Sequence, residues 1–139
     1  MPATPAHPVI ATTCTTPAEA MTRVRAYLGP HLLRHDFAAR RPPGATASWG
    51  CCYVAAEALW YLLGGRASGW RPTSGRVGGE PHWWLAGPGG EVLDPTADQF
   101  DDGAIDGPVP YAAGVGRGFL TREPSARARR LLADVAAGG

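Results

Sequence analysis

The stretch Ser48-Trp49-Gly50-Cys51-Cys52-Tyr53-Val54-Ala55-Ala56-Glu57-Ala58-Leu59-Trp60-Tyr61-Leu62-Leu63 is the most apolar part of the chain. It is long enough for four turns of helix, and only Glu57 interrupts its apolar run. Gly64-Gly65 stops it, as glycine does just past a helix end. Ser48 is a candidate N-cap, which predicts a core helix from about Trp49 to Leu63. Val54, Leu59, Leu62 and Leu63 form its apolar face. Both Cys51 and Cys52 then fall in its first turn, where unpaired N–H groups and the helix dipole favour a thiolate.

Downstream, His82-Trp83-Trp84-Leu85 and Glu91-Val92-Leu93-Asp94 are two short β-prone runs around Ala86-Gly87-Pro88-Gly89-Gly90. That pattern predicts a hairpin. With the turn centred near Pro88 to Gly89, paired residue numbers sum to about 176 or 177, which sets His82 opposite or one step from Asp94. An aspartate there takes the Nδ1 proton of histidine and leaves Nε2 to face the thiol. Of Trp83 and Trp84, one faces the core and the other lines a groove.

Nucleophile, base and orienter in the order Cys, His, Asp are the parts of nucleophilic acyl transfer. Each residue also has a plainer reading. Free cysteines are often small core residues, and Asp94-Pro95-Thr96 is a good turn by itself. His82, between Pro81 and two Trp, is less easily explained as a surface residue.

Gly-x-Cys-Tyr before an apolar helix, then His-Trp-Trp-Leu, then Gly-Glu-Val-Leu-Asp-Pro-Thr, resembles the papain-like cysteine-hydrolase superfamily in its broad sense. The local likeness is to its transglutaminase-like branch, and it covers residues 48 to about 100. The resemblance implies an α+β fold with a papain-like core, in which the cysteine-bearing helix packs on a small antiparallel sheet carrying His and Asp. It implies nucleophile Cys52, base His82 and orienter Asp94. Cys52 is preferred to Cys51 because it stands two after Gly50 and directly before Tyr53. Trp49, Gly50, Trp83 and Gln99 are the substrate-binding candidates. Gly50 leaves room for a substrate carbonyl. Papain's glutamine before the cysteine has no counterpart here, since Gln99 is the only Gln. Gln99 either folds back as an amide donor or braces its own loop.

The implied activity is that of a cysteine-dependent amide hydrolase, a peptidase or protein-glutamine deamidase, acting on a peptide or protein through a thioacyl-enzyme. Transglutaminase-like acyl transfer uses the same parts. The non-enzymatic alternative is an inactive papain-fold binding module, or a phage- or immunity-type accessory protein. That alternative predicts an exposed apolar patch around Trp70, Trp83 or Trp84.

The rest of the chain bounds these readings. Its 139 residues suit one domain, expected over 16–139 behind a Pro-, Ala- and Thr-rich arm at 1–15. Nineteen Gly and 14 Pro signal long loops, while 45% hydrophobic residues and five Trp argue for a packed core. A formal charge of +1 gives no field for nucleic acid. All 13 basic residues are Arg, which excludes any lysine-dependent mechanism. Three Cys, two of them adjacent, make a poor disulfide framework or zinc site. No metal or cofactor is expected. Without a basic, apolar leader or a membrane-length apolar run, a cytoplasmic, membrane-free protein is expected.

Thr16-Pro17-Ala18-Glu19 starts a first helix that falters at Gly29-Pro30. Residues 64–80 and 95–118 read as loops, with Tyr111 and Phe119 as anchors. The Gly-rich 114–118 run suggests a rim or lid. Thr121 or Ser125 caps a last helix through Ala128, Leu131, Leu132 and Val135. Arg127, Arg129 and Arg130 make its solvated face, and Glu57 is either an arginine's buried partner or solvated.

Overall fold

The computed structural model describes residues 16–100, 107–119 and 121–138; the arm expected at 1–15 lies outside them. The fold is α+β, with four helices and a four-stranded antiparallel sheet. Helix α1 spans Pro17–Ala26. Its N-cap, Thr16, accepts the Glu19 N–H at 3.1 Å, and Pro17 follows at the first position. Helix α2 is a single turn, His35–Ala38.

Helix α3 runs Cys52–Leu62, three residues shorter at its start than expected. Gly50 takes φ +75°, a left-handed conformation that no α-helix passes through, so Trp49 stays outside. Cys51 is the N-cap, and Ser48 uses its hydroxyl elsewhere. A Cβ on Gly50 would stand 2.8 Å from Phe37 and 2.9 Å from Leu33. The room left by the absent side chain is therefore filled by the segment around α2.

Eight of the eleven residues of α3 are buried, on all sides of the helix. Helices α1 and α4 (Ala126–Gly138) cover part of it, and the sheet covers the rest. Ala55, Ala56 and Ala58 permit close approach, while Val54, Leu59 and Leu62 each contribute about 1.5–3 kcal/mol by burial. Glu57 is also fully buried, and its partner is not an arginine. Its carboxylate accepts the Ser125 N–H at 2.8 Å and the Ser125 hydroxyl at 2.7 Å. Ser125 in turn accepts the Ala128 N–H at 3.2 Å, so Ser125 rather than Thr121 caps α4.

The strands are β1 (Arg71–Val77), β2 (Glu80–Ala86), β3 (Val92–Leu93) and β4 (Val115–Gly116), in the order β3-β2-β1-β4. Strand β1 corrects the expectation of a loop over 64–80. Gly78 and Gly79, at φ +59° and +83°, close a two-residue hairpin between β1 and β2. Two successive left-handed residues match the twist of a tight hairpin. The expected β2–β3 hairpin is also present, but in another register. Leu85 pairs with Leu93 and Ala86 with Val92, so the line of pairing sets Trp84, not His82, opposite Asp94. Asp94 is a diagonal neighbour of His82, on the same face. Leu85 joins the core with α3, and Trp83 packs against its edge. His82 and Trp84 point to the other face, both about 1% exposed.

The loop expected at 95–118 is punctuated by short 3-10 turns at Ala97–Phe100 and Tyr111–Ala113 and by β4. Among the described residues no helix is long and apolar enough to cross a membrane.

Candidate functional site

Asp94 does two jobs at once. Its Oδ1 accepts the Thr96 N–H at 3.2 Å and the Thr96 hydroxyl at 3.4 Å, the mark of an Asx turn. Its Oδ2 lies 2.7 Å from His82 Nε2 and accepts the Tyr111 hydroxyl at 2.7 Å. Turn-starter and histidine partner are thus the same residue, through different oxygens.

The turn that Asp94 starts continues into the 3-10 segment Ala97–Phe100, which folds back over the imidazole. Gln99 Nε2 reaches His82 Nδ1 at 3.0 Å. Phe100 meets the ring edge-on, with centroids 4.8 Å apart. Gln99 therefore folds back to the site. Ser48 donates to Asp98 at 2.6 Å and so ties this turn to the chain just before α3.

The histidine is turned the other way from expectation. The carboxylate holds Nε2, and Nδ1 faces the Gln99 amide. The diagonal register is the reason, because it presents Asp94 to the far side of the ring. With the Gln99 amide nitrogen at Nδ1, the neutral imidazole carries its proton on Nε2 and donates it to Asp94.

The Cys52 thiol lies close enough to the same imidazole to bias its titration. It also approaches the Pro81 carbonyl at 4.0 Å. Burial draws the His82 pKa down, but the Asp94 hydrogen bond and the bond and charge of Cys52 more than reverse this. The result is pushed up to about 9. Tyr111, buried and bonded to Asp94, is pushed up from its ordinary value as well.

The adjacent cysteine differs. Cys51 is fully buried, and its thiol points to the carbonyls of Gly29 at 3.7 Å and Ala47 at 3.8 Å. Burial pushes it up to about 11, and the neighbouring Cys52 adds to the effect. Cys52 is half-buried and opens into a cavity of about 680 Å³. Trp49, Gly50, Trp83 and Gln99 all line that cavity. Phe37 and Trp49 form a stacked pair on its wall, with centroids 5.1 Å apart. Trp83 packs edge-on against Tyr53 at 4.9 Å.

Tyr111 is a member of the site that the sequence reading placed only as an anchor. Its signal is faint: an aromatic hydroxyl inside a Gly- and Pro-rich stretch. The Trp-centred patch of the docking alternative is not present. All five Trp are half-buried or buried, and the exposed large apolar side chains among the described residues are Val92 and Val115. No group of His, Cys, Asp or Glu among the described residues is arranged to hold a metal ion. Comparison with known proteins found no matching family model, and no curated protein or solved structure of significant similarity.

Proposed function

We propose that this chain is a cysteine-dependent amide hydrolase with a papain-like Cys-His-Asp site, acting on a peptide or protein amide. The observation that carries the reading is the buried Asp94–His82 pair at 2.7 Å, with the half-buried Cys52 thiol at the carbonyl of the preceding Pro81 and open to a cavity.

In the proposed reaction His82 Nδ1 takes the Cys52 proton, and Asp94 holds the resulting imidazolium through Nε2. The thiolate attacks the amide carbonyl and forms a C–S bond. Negative charge develops on the carbonyl oxygen. The Cys52 backbone N–H, in the first turn of α3, has no acceptor four residues back and faces that charge. The Gln99 amide supplies a second donor once it leaves Nδ1. Nδ1–H then protonates the leaving nitrogen, the C–N bond breaks, and a thioester remains. Water, deprotonated by His82, releases the acid and regenerates the thiol. A histidine pushed up to about 9 holds a proton at neutral pH once it has taken one, as the acid step requires.

In the neutral imidazole Nδ1 has one lone pair, which faces the Gln99 amide, so the thiol proton reaches it only when that amide moves aside. The resting site therefore has Gln99 as a movable neighbour of the base.

The test is iodoacetamide alkylation at each cysteine, followed by mass spectrometry from pH 5 to 10. Cys52 is expected to label at pH 7 at least about tenfold faster than Cys51, and His82→Ala to remove most of that advantage. Equal rates at Cys52 in wild type and His82→Ala would sink the reading. Faster labelling of Cys51 would keep the chemistry and transfer it to the other sulfur.

A further inference from the structure

From the cavity walls we infer that the amide presented to Cys52 belongs to an acidic peptide, one with a carboxylate side chain beside the bond that is cut. The inference rests on the hydrolase reading for its chemistry, and on the charge of the cavity for its substrate class.

Among the described residues, three arginines, Arg34, Arg40 and Arg127, line the cavity against a single carboxylate, Glu80. Such an excess is not general to the chain, whose formal charge is only +1. Nor are these arginines consumed internally. Arg40 lies over the Phe37 ring at 4.8 Å and has no carboxylate partner among the described residues. Arg127 projects from exposed α4 with none either. Arg34 meets Asp36 through Nε alone, at 3.4 Å and largely in solvent. Such a contact is worth little and leaves its terminal nitrogens available.

The remaining wall is largely aromatic, with Phe37, Trp49, Tyr53, Trp83 and Phe100. An aromatic wall lowers the local dielectric and concentrates the field of the guanidinium groups at the cavity mouth. Guanidinium also matches carboxylate in a two-point hydrogen-bonded geometry. About 680 Å³ accommodates a short peptide segment rather than a single small ion. An acyl residue with a carboxylate side chain uses all three features: rings for its backbone and stem, arginine for its charge, and the thiol for its carbonyl.

The experiment compares two alkylating reagents of nearly the same size, anionic iodoacetate and neutral iodoacetamide. The rate ratio at Cys52 is divided by the ratio for free glutathione at the same pH. The expected value is about threefold or more in favour of iodoacetate, falling in about 0.5 M salt as screening shortens the field. His82 is present throughout, so its charge cancels between wild type and the variants Arg40→Gln, Arg127→Gln and the pair of them. Arg127→Gln changes an exposed position and tests the field without disturbing the Phe37 contact.

The preference is expected to drop in each single variant and further in the double one, which keeps Arg34. A ratio at or below that of glutathione, or one unchanged in the double variant, overturns the inference. A matched pair of peptidyl chloromethyl ketones ending in Glu or Gln extends the test to the acyl group; the Glu reagent should react faster, and the reverse order overturns the inference. The neutral reagent compared between wild type and His82→Ala tests the hydrolase reading separately. A Cys52 rate unchanged by His82→Ala, with a clear charge preference, would break that reading alone, while a His82-dependent Cys52 with no preference would break this inference alone.

Discussion

Two buried carboxylates serve opposite sides of the molecule. On the helical side, Glu57 gives both oxygens to Ser125 and so anchors the start of α4. On the sheet side, Asp94 also has both oxygens satisfied, two contacts to each. Both avoid the penalty of an unpartnered buried acid. The difference lies in the partners. Glu57 meets a serine and a backbone amide, which do not exchange protons at ordinary pH. Asp94 meets an imidazole whose far nitrogen faces the Gln99 amide at the wall of the cavity that Cys52 lines. Burial of an acid is thus no sign of chemistry in itself; what it holds, and whether that opens to solvent, makes the distinction.

The sharpest way to break the contrast is to neutralise each acid. Asp94→Asn is expected to cut Cys52 alkylation at pH 7 by about tenfold or more, because an amide does not balance an imidazolium. Glu57→Gln is expected to leave that rate within about twofold. It should lower the unfolding free energy by about 1–3 kcal/mol, through a buried N–H left facing an amide nitrogen. If Glu57→Gln slowed alkylation as much as Asp94→Asn, the two sides would not be separate.

A second, smaller effect appears in pH. His82 is held above its ordinary 6.5, so its stabilising contribution is complete below about pH 6.5 and is lost as pH rises through about 9. Urea unfolding should therefore show wild type losing more stability between pH 7 and 10 than His82→Gln does. The Glu57–Ser125 contact, with no imidazole or thiol in it, adds nothing to that slope.

The smallest effect is expected from Tyr111→Phe, at about 0.5–1.5 kcal/mol of stability. It frees Asp94 Oδ2 for His82 alone, so the His82 titration should move upward when followed by NMR. A downward movement would show that Tyr111 does not compete with the imidazole for that oxygen.

Much of this site could be read in the chain itself, for reasons visible in single residues. The core helix announced itself through Val54 to Leu63, where apolar composition and the Gly64-Gly65 stop agree. His82 and Asp94 were linked by one local hairpin, and local pairings leave traces in spacing. Strand β1 was hidden because Pro72, Gly75 and the surrounding glycines outweighed its β-prone Thr73 and Val77. The Gly78-Gly79 pair was the available hairpin signal, but it sat inside a stretch read as loop. The two-residue shift in the β2–β3 register, and with it the reversed ring, depends on how Gly87 to Glu91 close their turn. There Gly87 N–H bonds to Glu91 O at 2.8 Å, which spacing alone does not reveal. Tyr111 is brought in by a 3-10 turn that packs on Trp84, and the arginines of the cavity by the placing of α2 and α4, none of which spacing reveals.

The entropic cost of assembling the site depends on where its parts lie along the chain. His82 finds Asp94 across 12 residues, Gln99 finds His82 across 17, and Tyr111 finds Asp94 across 17. These are short loops, whose closure is fast and entropically cheap. Cys52 meets Pro81 only across 29 residues, and only when α3 has docked on the sheet. Loop closure therefore costs somewhat less for the His82–Asp94 contact than for the Cys52–Pro81 contact, which also needs the central helix docked on the sheet.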